Sequence, residues 1–120
     1  MKVAVTSQGG EMSSQVDPRF GRALWFVVVD TDTGESEAID NTAGVGAMSG
    51  AGVTAGQAMS ERGVSVVITG HCGPNAYRTL SAAGIKVVAG ATGTVAEAVE
   101  QYKSGELKAV DGPDVRGHWA

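Results

Sequence analysis

The stretch Gly63-Val64-Ser65-Val66-Val67-Ile68-Thr69-Gly70 recurs 21 residues later as Gly84-Ile85-Lys86-Val87-Val88-Ala89-Gly90. Each copy reads as a glycine that stops a helix, an apolar strand and a glycine turn. Between them, Pro74 to Ala83 has Ala76, Leu80 and Ala83 on one helical face. Pro74 suits the first helical position, where no N–H is needed. Two strands joined through a helix run parallel, so this repeat sets the fold class as α/β.

The pattern extends in both directions. Downstream, Thr94 with Glu97 three residues on is a capping box; Val95, Ala98, Val99 and Tyr102 form an apolar stripe, and Gly105 follows as a stop. After Leu107 the pattern fades, so we expect a domain over 1–108 and a tail over 109–120 that carries His118 and Trp119. Upstream, Ala51, Ala55, Ala58, Met59 and Arg62 fit a helix that ends at Gly63, preceded by a glycine-rich segment from Asn41. Leu24 to Val29 is an unbroken apolar run, suited to a strand buried on both faces. A turn cluster, Asp30 to Glu35, leads into a short polar strand, Ser36 to Ile39, which suits a sheet edge. Val3-Ala4-Val5 is the first strand and runs into the loop Thr6 to Gly10. The expectation is a mixed five-stranded sheet with one antiparallel edge hairpin and covering helices.

Composition narrows the function. The net charge is −4, without the basic excess of a nucleic-acid binder. No apolar run reaches the ~18–20 residues of a membrane span, and Met1-Lys2-Val3 enters a strand pattern directly, without a basic leader and apolar signal core. One cysteine, Cys72, forms no internal disulfide, which fits a reducing, cytoplasmic setting. We expect a monomer or weak dimer.

Ligands of open α/β sheets bind outside the carboxyl ends of the parallel strands. That rim collects Thr6 to Gly10, Gly70 to Gly73 and Gly90 to Gly93, with three helix N-termini beside it. Exposed N–H groups and the helix dipole favour an anion there. Gly70-His71-Cys72-Gly73-Pro74-Asn75 places Cys72 just before a helix N-terminus, where a thiolate is stabilised, and His71 beside it is able to bind metal. Both residues also suit structural roles, Cys72 as a small buried apolar group. Asp17-Pro18-Arg19-Phe20-Gly21-Arg22-Ala23 sets two guanidinium groups at a glycine turn, which fits a multivalent anion; the plain alternative is a surface turn in which Asp17 pairs with an arginine. Met12 and Met48 offer soft thioether sulfur or simple packing. His71-Cys72, five intervening residues and Arg78-Thr79 match the H-C-x5-R-[ST] spacing of cysteine-dependent phosphatases, although Pro74 removes one cradle N–H and Arg78 falls inside the helix pattern.

Met1-Lys2-Val3-Ala4-Val5, Arg19-Phe20-Gly21-Arg22-Ala23, Gly73-Pro74-Asn75-Ala76, Ala83-Gly84-Ile85-Lys86-Val87, Gly93-Thr94-Val95 and Gly105-Glu106-Leu107-Lys108 follow one another along the chain. With these, residues 1–108 resemble the dinitrogenase iron–molybdenum cofactor biosynthesis family, of the NifX and NifB C-terminal type. Within it the sequence is most similar to the orange proteins of sulfate-reducing bacteria. The resemblance implies a ribonuclease H-like three-layer α/β fold. It implies binding, storage or delivery of a molybdenum–copper sulfide cluster, held without a protein–metal bond, rather than enzymatic turnover. Arg19, Phe20, Arg22, Met48, His71, Cys72 and Asn75 are the expected contacts, with Phe20 and Met48 as walls. Three departures stand out, the first being Gly70-His71-Cys72-Gly73-Pro74-Asn75 where the family usually has Gly-Gly-x-Gly-Pro-Asn. Arg19 occupies a position where family members often have histidine, and 43–56 carries none of the loop histidines found in many of them. The alternative within the family is a carrier of the iron–molybdenum cofactor or its precursor, with His71 or Cys72 as direct metal ligand and protein partners in delivery. The alternative outside it is a Cys72-dependent phosphohydrolase.

Overall fold

A computed structural model of the chain describes residues 1–20, 22–41, 57–107 and 109–110. It contains one five-stranded sheet. The strands are β1 (Lys2–Ser7), β2 (Trp25–Asp30), β3 (Ser36–Asp40), β4 (Val66–Ile68) and β5 (Lys86–Val88). Their order across the sheet is β3-β2-β1-β4-β5. β1 and β2, like β2 and β3, pair antiparallel, whereas β4 pairs parallel with both β1 and β5. The described part of helix α1 spans residues 57–61, α2 is Pro74–Ala82 and α3 is Val95–Lys103. This is the mixed α/β sheet with an antiparallel edge hairpin that the repeat and the apolar runs indicate. Among the described residues no helix is long and apolar enough to cross a membrane.

Strand alternation builds the three layers. Ala4, Phe26, Val28, Val67 and Val87 point to one face and pack with Met59 of α1 and with Ala76 and Leu80 of α2. Val3, Val5, Val27, Val29, Val66, Ile68 and Val88 point to the other and pack with Val95, Ala98 and Val99 of α3. Only β3 stays largely outside, with Ile39 its one partly buried residue.

All three glycine stops work by the same device. After α1, Val64 N–H donates to Met59 O and Gly63 N–H to Ser60 O; after α2, Ile85 N–H donates to Leu80 O and Gly84 N–H to Ser81 O. After α3, Glu106 N–H donates to Gln101 O and Gly105 N–H to Tyr102 O. These are Schellman closures, and Gly63, Gly84 and Gly105 take the positive φ that they require.

Three boundaries differ from expectation. β1 extends through Thr6 and Ser7, because both are buried and pair with Phe26 and Trp25. The same register ends β2 at Asp30 and leaves Leu24 outside the strand, 42% exposed. The chain also does not leave the sheet at Leu107: Ala109 bridges Val88, and Val110 N–H donates to Val87 O. The first two residues of the expected tail therefore cover the outer edge of β5.

The capping box forms as read. Glu97 N–H donates to Thr94 Oγ1, and Thr94 N–H donates to Glu97 Oε1. Thr94→Ala should cost about 1 kcal/mol in urea unfolding. The Thr94 N–H also holds the Glu97 carboxyl below its usual pKa. A depressed carboxyl stabilises the fold above its unfolded pKa and loses that contribution as pH falls through the lower folded value. Glu97→Gln should therefore flatten the acid side of the stability profile and leave its slope above pH ~6 unchanged; urea midpoints measured across pH check both.

Candidate functional site

The two segments singled out in the sequence meet at the carboxyl ends of β1 and β4. Arg19 and His71 form a parallel bridge. His71 N–H donates to Pro18 O at 2.7 Å, and Phe20 N–H donates to His71 O at 3.4 Å. Gly70 makes this approach possible, since a Cβ there would lie 2.8 Å from Pro18 Cα and 2.9 Å from Pro18 O. The Asp17–Ala23 turn and the Gly70–Asn75 turn thus act as one surface.

Asp17 serves the backbone. It is 7% exposed, and its Oδ1 accepts the Arg19 N–H at 2.9 Å. This Asx turn directs the chain into Arg19. Among the described residues neither Arg19 nor Arg22 enters an ion pair, so the reading in which Asp17 pairs with an arginine is corrected. Both arginines are exposed, as are His71 and Asn75. Asn41 ties down the neighbouring segment: its Nδ2 donates to Ala23 O at 2.9 Å and its backbone N–H to Leu24 O at 2.8 Å. Residues 42–56, with Met48 and the glycine-rich loop, lie outside the described residues, as do His118 and Trp119.

Two expected contact residues point inward. Phe20 is 0% exposed and packs on Phe26, with ring centroids 5.4 Å apart. It anchors the arginine turn to the core rather than forming an outer wall. Cys72 is also 0% exposed, in the same core cluster as Phe20, Ala76 and Leu80. Burial of a small apolar group has won over presentation of a thiolate. Arg78 meanwhile is exposed within α2. The H-C-x5-R spacing therefore builds no phosphate cradle, and direct metal ligation by Cys72 does not match its buried position. Trp25 is half-buried and lies over Gly10, where a Cβ would come within 3.4 Å of its ring; Met12 packs against the α3-side core.

The helix N-termini at the rim are not equivalent. That of α3 is closed, because Val95 N–H donates to Ser14 O, Ala96 N–H to Met12 O and Glu97 N–H to Thr94 Oγ1. The Glu97 carboxylate also occupies this end. That of α2 has Gly73 as N-cap, no side-chain cap and no acidic residue in its first turn. Among the described residues no side-chain cap and no first-turn carboxylate offsets the positive end of the α2 dipole, which follows closely on His71, the backbone partner of Arg19. Arg19 and this helix end together make a cationic patch in a chain whose net charge is −4. Among the described residues no three His, Cys, Asp or Glu side chains gather to hold a metal ion.

What the sequence reading missed is the polar support below this patch. Thr6 and Thr69 are both 0% exposed, and their hydroxyls lie 2.9 Å apart. The signal was available: each threonine directly follows the apolar core of a strand, and the parallel register pairs Val5 with Ile68.

Comparison with known proteins agrees with this architecture. The apo form of the orange protein from Desulfovibrio gigas has a similar structure (TM-score 0.93, 42% identity), covering 95% of this chain and 96% of that one. A putative NifB protein from Thermotoga is similar too (TM-score 0.85, 36% identity), covering 97% and 98%. An uncharacterized protein of Methanocaldococcus jannaschii is 32% identical over 111 residues, 90% of each chain. The family described as dinitrogenase iron-molybdenum cofactor matches residues 1–105. On fold, topology and this match across nearly the whole described domain, the chain belongs to the dinitrogenase iron-molybdenum cofactor family.

Proposed function

We propose that this protein binds, stores or delivers a molybdenum-containing metal–sulfur cluster, with a molybdenum–copper sulfide held non-covalently as its cargo. It acts as a cytoplasmic binding protein rather than an enzyme. The observation that carries the reading is the Arg19–His71 bridge, which joins the turn carrying two exposed arginines, neither in an ion pair among the described residues, to the segment that leads into the N-terminus of α2. A sulfide-rich polyanion brings its own metal ligands and asks the protein for positive potential and N–H donors. Arg19, Arg22, the Asn75 side chain and the first turn of α2 supply these. Copper as the second metal rests on the sequence's resemblance to the orange proteins, and the similar structure of one orange protein is consistent with that resemblance.

The exposure of His71 favours one variant of this reading. An iron–molybdenum cofactor or its precursor would use His71 as a direct ligand, as the exposed member of the His71–Cys72 pair.

Adding tetrathiomolybdate and copper to the apo protein should produce a visible charge-transfer band that survives desalting. Loss of all colour on the column would overturn the proposal. Metal analysis of protein purified from its own source separates the variants: molybdenum with copper supports the first, molybdenum with iron the second.

A further inference from the structure

We infer that Thr69 and Thr6 are positioning residues for Arg19, acting through Asp17; the inference builds on the anion-binding reading above. Because Val5 and Ile68 are paired in register, the next residues, Thr6 and Thr69, stand side by side at the ends of β1 and β4. Each hydroxyl has a single proton. Thr6 Oγ1 gives its proton to Asp17 O at 2.7 Å, so the 2.9 Å contact between the hydroxyls is Thr69 donating to Thr6. The other acceptor near Thr69, His71 O, is 3.5 Å away. Asp17 N–H returns to Thr6 O at 2.9 Å, and the Asp17 carboxylate then takes the Arg19 N–H at 2.9 Å. The bonds therefore run in one direction, from Thr69 to Thr6 to the Asp17 peptide, whose side chain holds Arg19.

The chemistry argues against simple packing. The neighbouring strand positions Val3, Val5, Val66 and Val67 show what this core accepts. Two further valines would fill the same volume without the cost of burying hydroxyls. The hydroxyls stand where the end of β1 meets the arginine turn, and they satisfy a peptide carbonyl that would otherwise be stranded.

Two variants of the full chain separate donor from shape. Thr69→Val keeps the outline and deletes the proton given to Thr6; Thr69→Ser keeps the proton and trims a methyl. Tetrathiomolybdate affinity and hydrogen exchange of the Arg19 amide, followed by NMR, are the readouts. Thr69→Val should bind about tenfold more weakly and exchange the Arg19 amide faster, whereas Thr69→Ser should stay within about twofold of the parent on both. Unchanged affinity and exchange in Thr69→Val overturn the inference, and so does a serine variant as impaired as the valine one. If Thr69→Val does not fold, Asp17→Asn replaces the charged acceptor of the Arg19 N–H by a neutral one, and an Arg19 exchange rate equal to the parent's overturns the inference. If the parent itself takes up no tetrathiomolybdate, the cargo proposal falls, and the exchange measurements alone still decide the positioning role.

Discussion

Replacing Arg19 and Arg22 together with alanine should weaken retention of tetrathiomolybdate by about a hundredfold or more. Hydrogen bonds that involve a charged group contribute about 1.5–3 kcal/mol each, so losing two such donors predicts at least that loss. Both side chains are exposed and neither is in an ion pair among the described residues, so folding stability should change by no more than about 0.5 kcal/mol. The two effects therefore separate cleanly. Equilibrium dialysis measures the first and urea unfolding the second. Lysine at both positions should recover part of the affinity, because it keeps the charge but not the planar fork. Raising salt should weaken the parent far more than the double alanine variant, since exposed charges are screened beyond about 8–10 Å at physiological ionic strength. A double variant that binds as tightly as the parent would remove the physical basis of the proposed cargo.

The fold was legible because its determinants are local. Gly63, Gly84 and Gly105 announce helix ends through the φ that only glycine adopts cheaply, and Thr94 with Glu97 announces a helix start. The apolar runs at Val66–Ile68 and Val27–Val29 have no plausible place except a buried strand. The site was legible only in part. Sequence placed the Gly70–Gly73 turn on the rim and read Asp17–Ala23 as an anion-binding turn, but it did not show the two meeting and gave no direction to their side chains. Phe20 and Cys72 sit in motifs full of polar neighbours, yet both turn inward, because each turn needs an apolar foot in the core to hold its polar residues outward. The same logic corrects the helix N-termini. The sequence sets three helix N-termini beside the rim as positive ends, but Ser14 and Met12 carbonyls close that of α3, a tertiary contact that no spacing in the sequence reveals. Ala109 and Val110 are a further case: their pairing with β5 is set by the open edge of the sheet, not by any pattern of their own.

Gly70→Ala should be the most damaging single substitution at the rim, and its effect should reach binding through geometry rather than charge. The added Cβ would lie 2.8 Å from Pro18 Cα, 2.9 Å from Pro18 O and 3.2 Å from Pro18 C. All three atoms belong to backbone, and the proline ring fixes φ there, so no side chain can swing aside. Nor can the neighbouring chain give way easily. Pro18 O accepts the His71 N–H, Asp17 N–H is bound to Thr6 O, and Gly90 N–H is bound to Gly70 O. Relief requires the Pro18 turn to separate from β4, which breaks the Arg19–His71 bridge. Overpacking of this kind costs about 1–3 kcal/mol, and the lost backbone bonds add to it. The contrast is Gly63→Ala, where no atom lies within 4 Å of the added Cβ. There the cost is backbone strain alone, about 1–2 kcal/mol for an L-residue at positive φ, at a site remote from the rim. Gly70→Ala should thus lower both the urea midpoint and tetrathiomolybdate affinity, whereas Gly63→Ala should lower only the midpoint. A Gly70→Ala protein that unfolds later than Gly63→Ala and still binds the anion would show that the contact between Pro18 and β4 does not hold the two turns together.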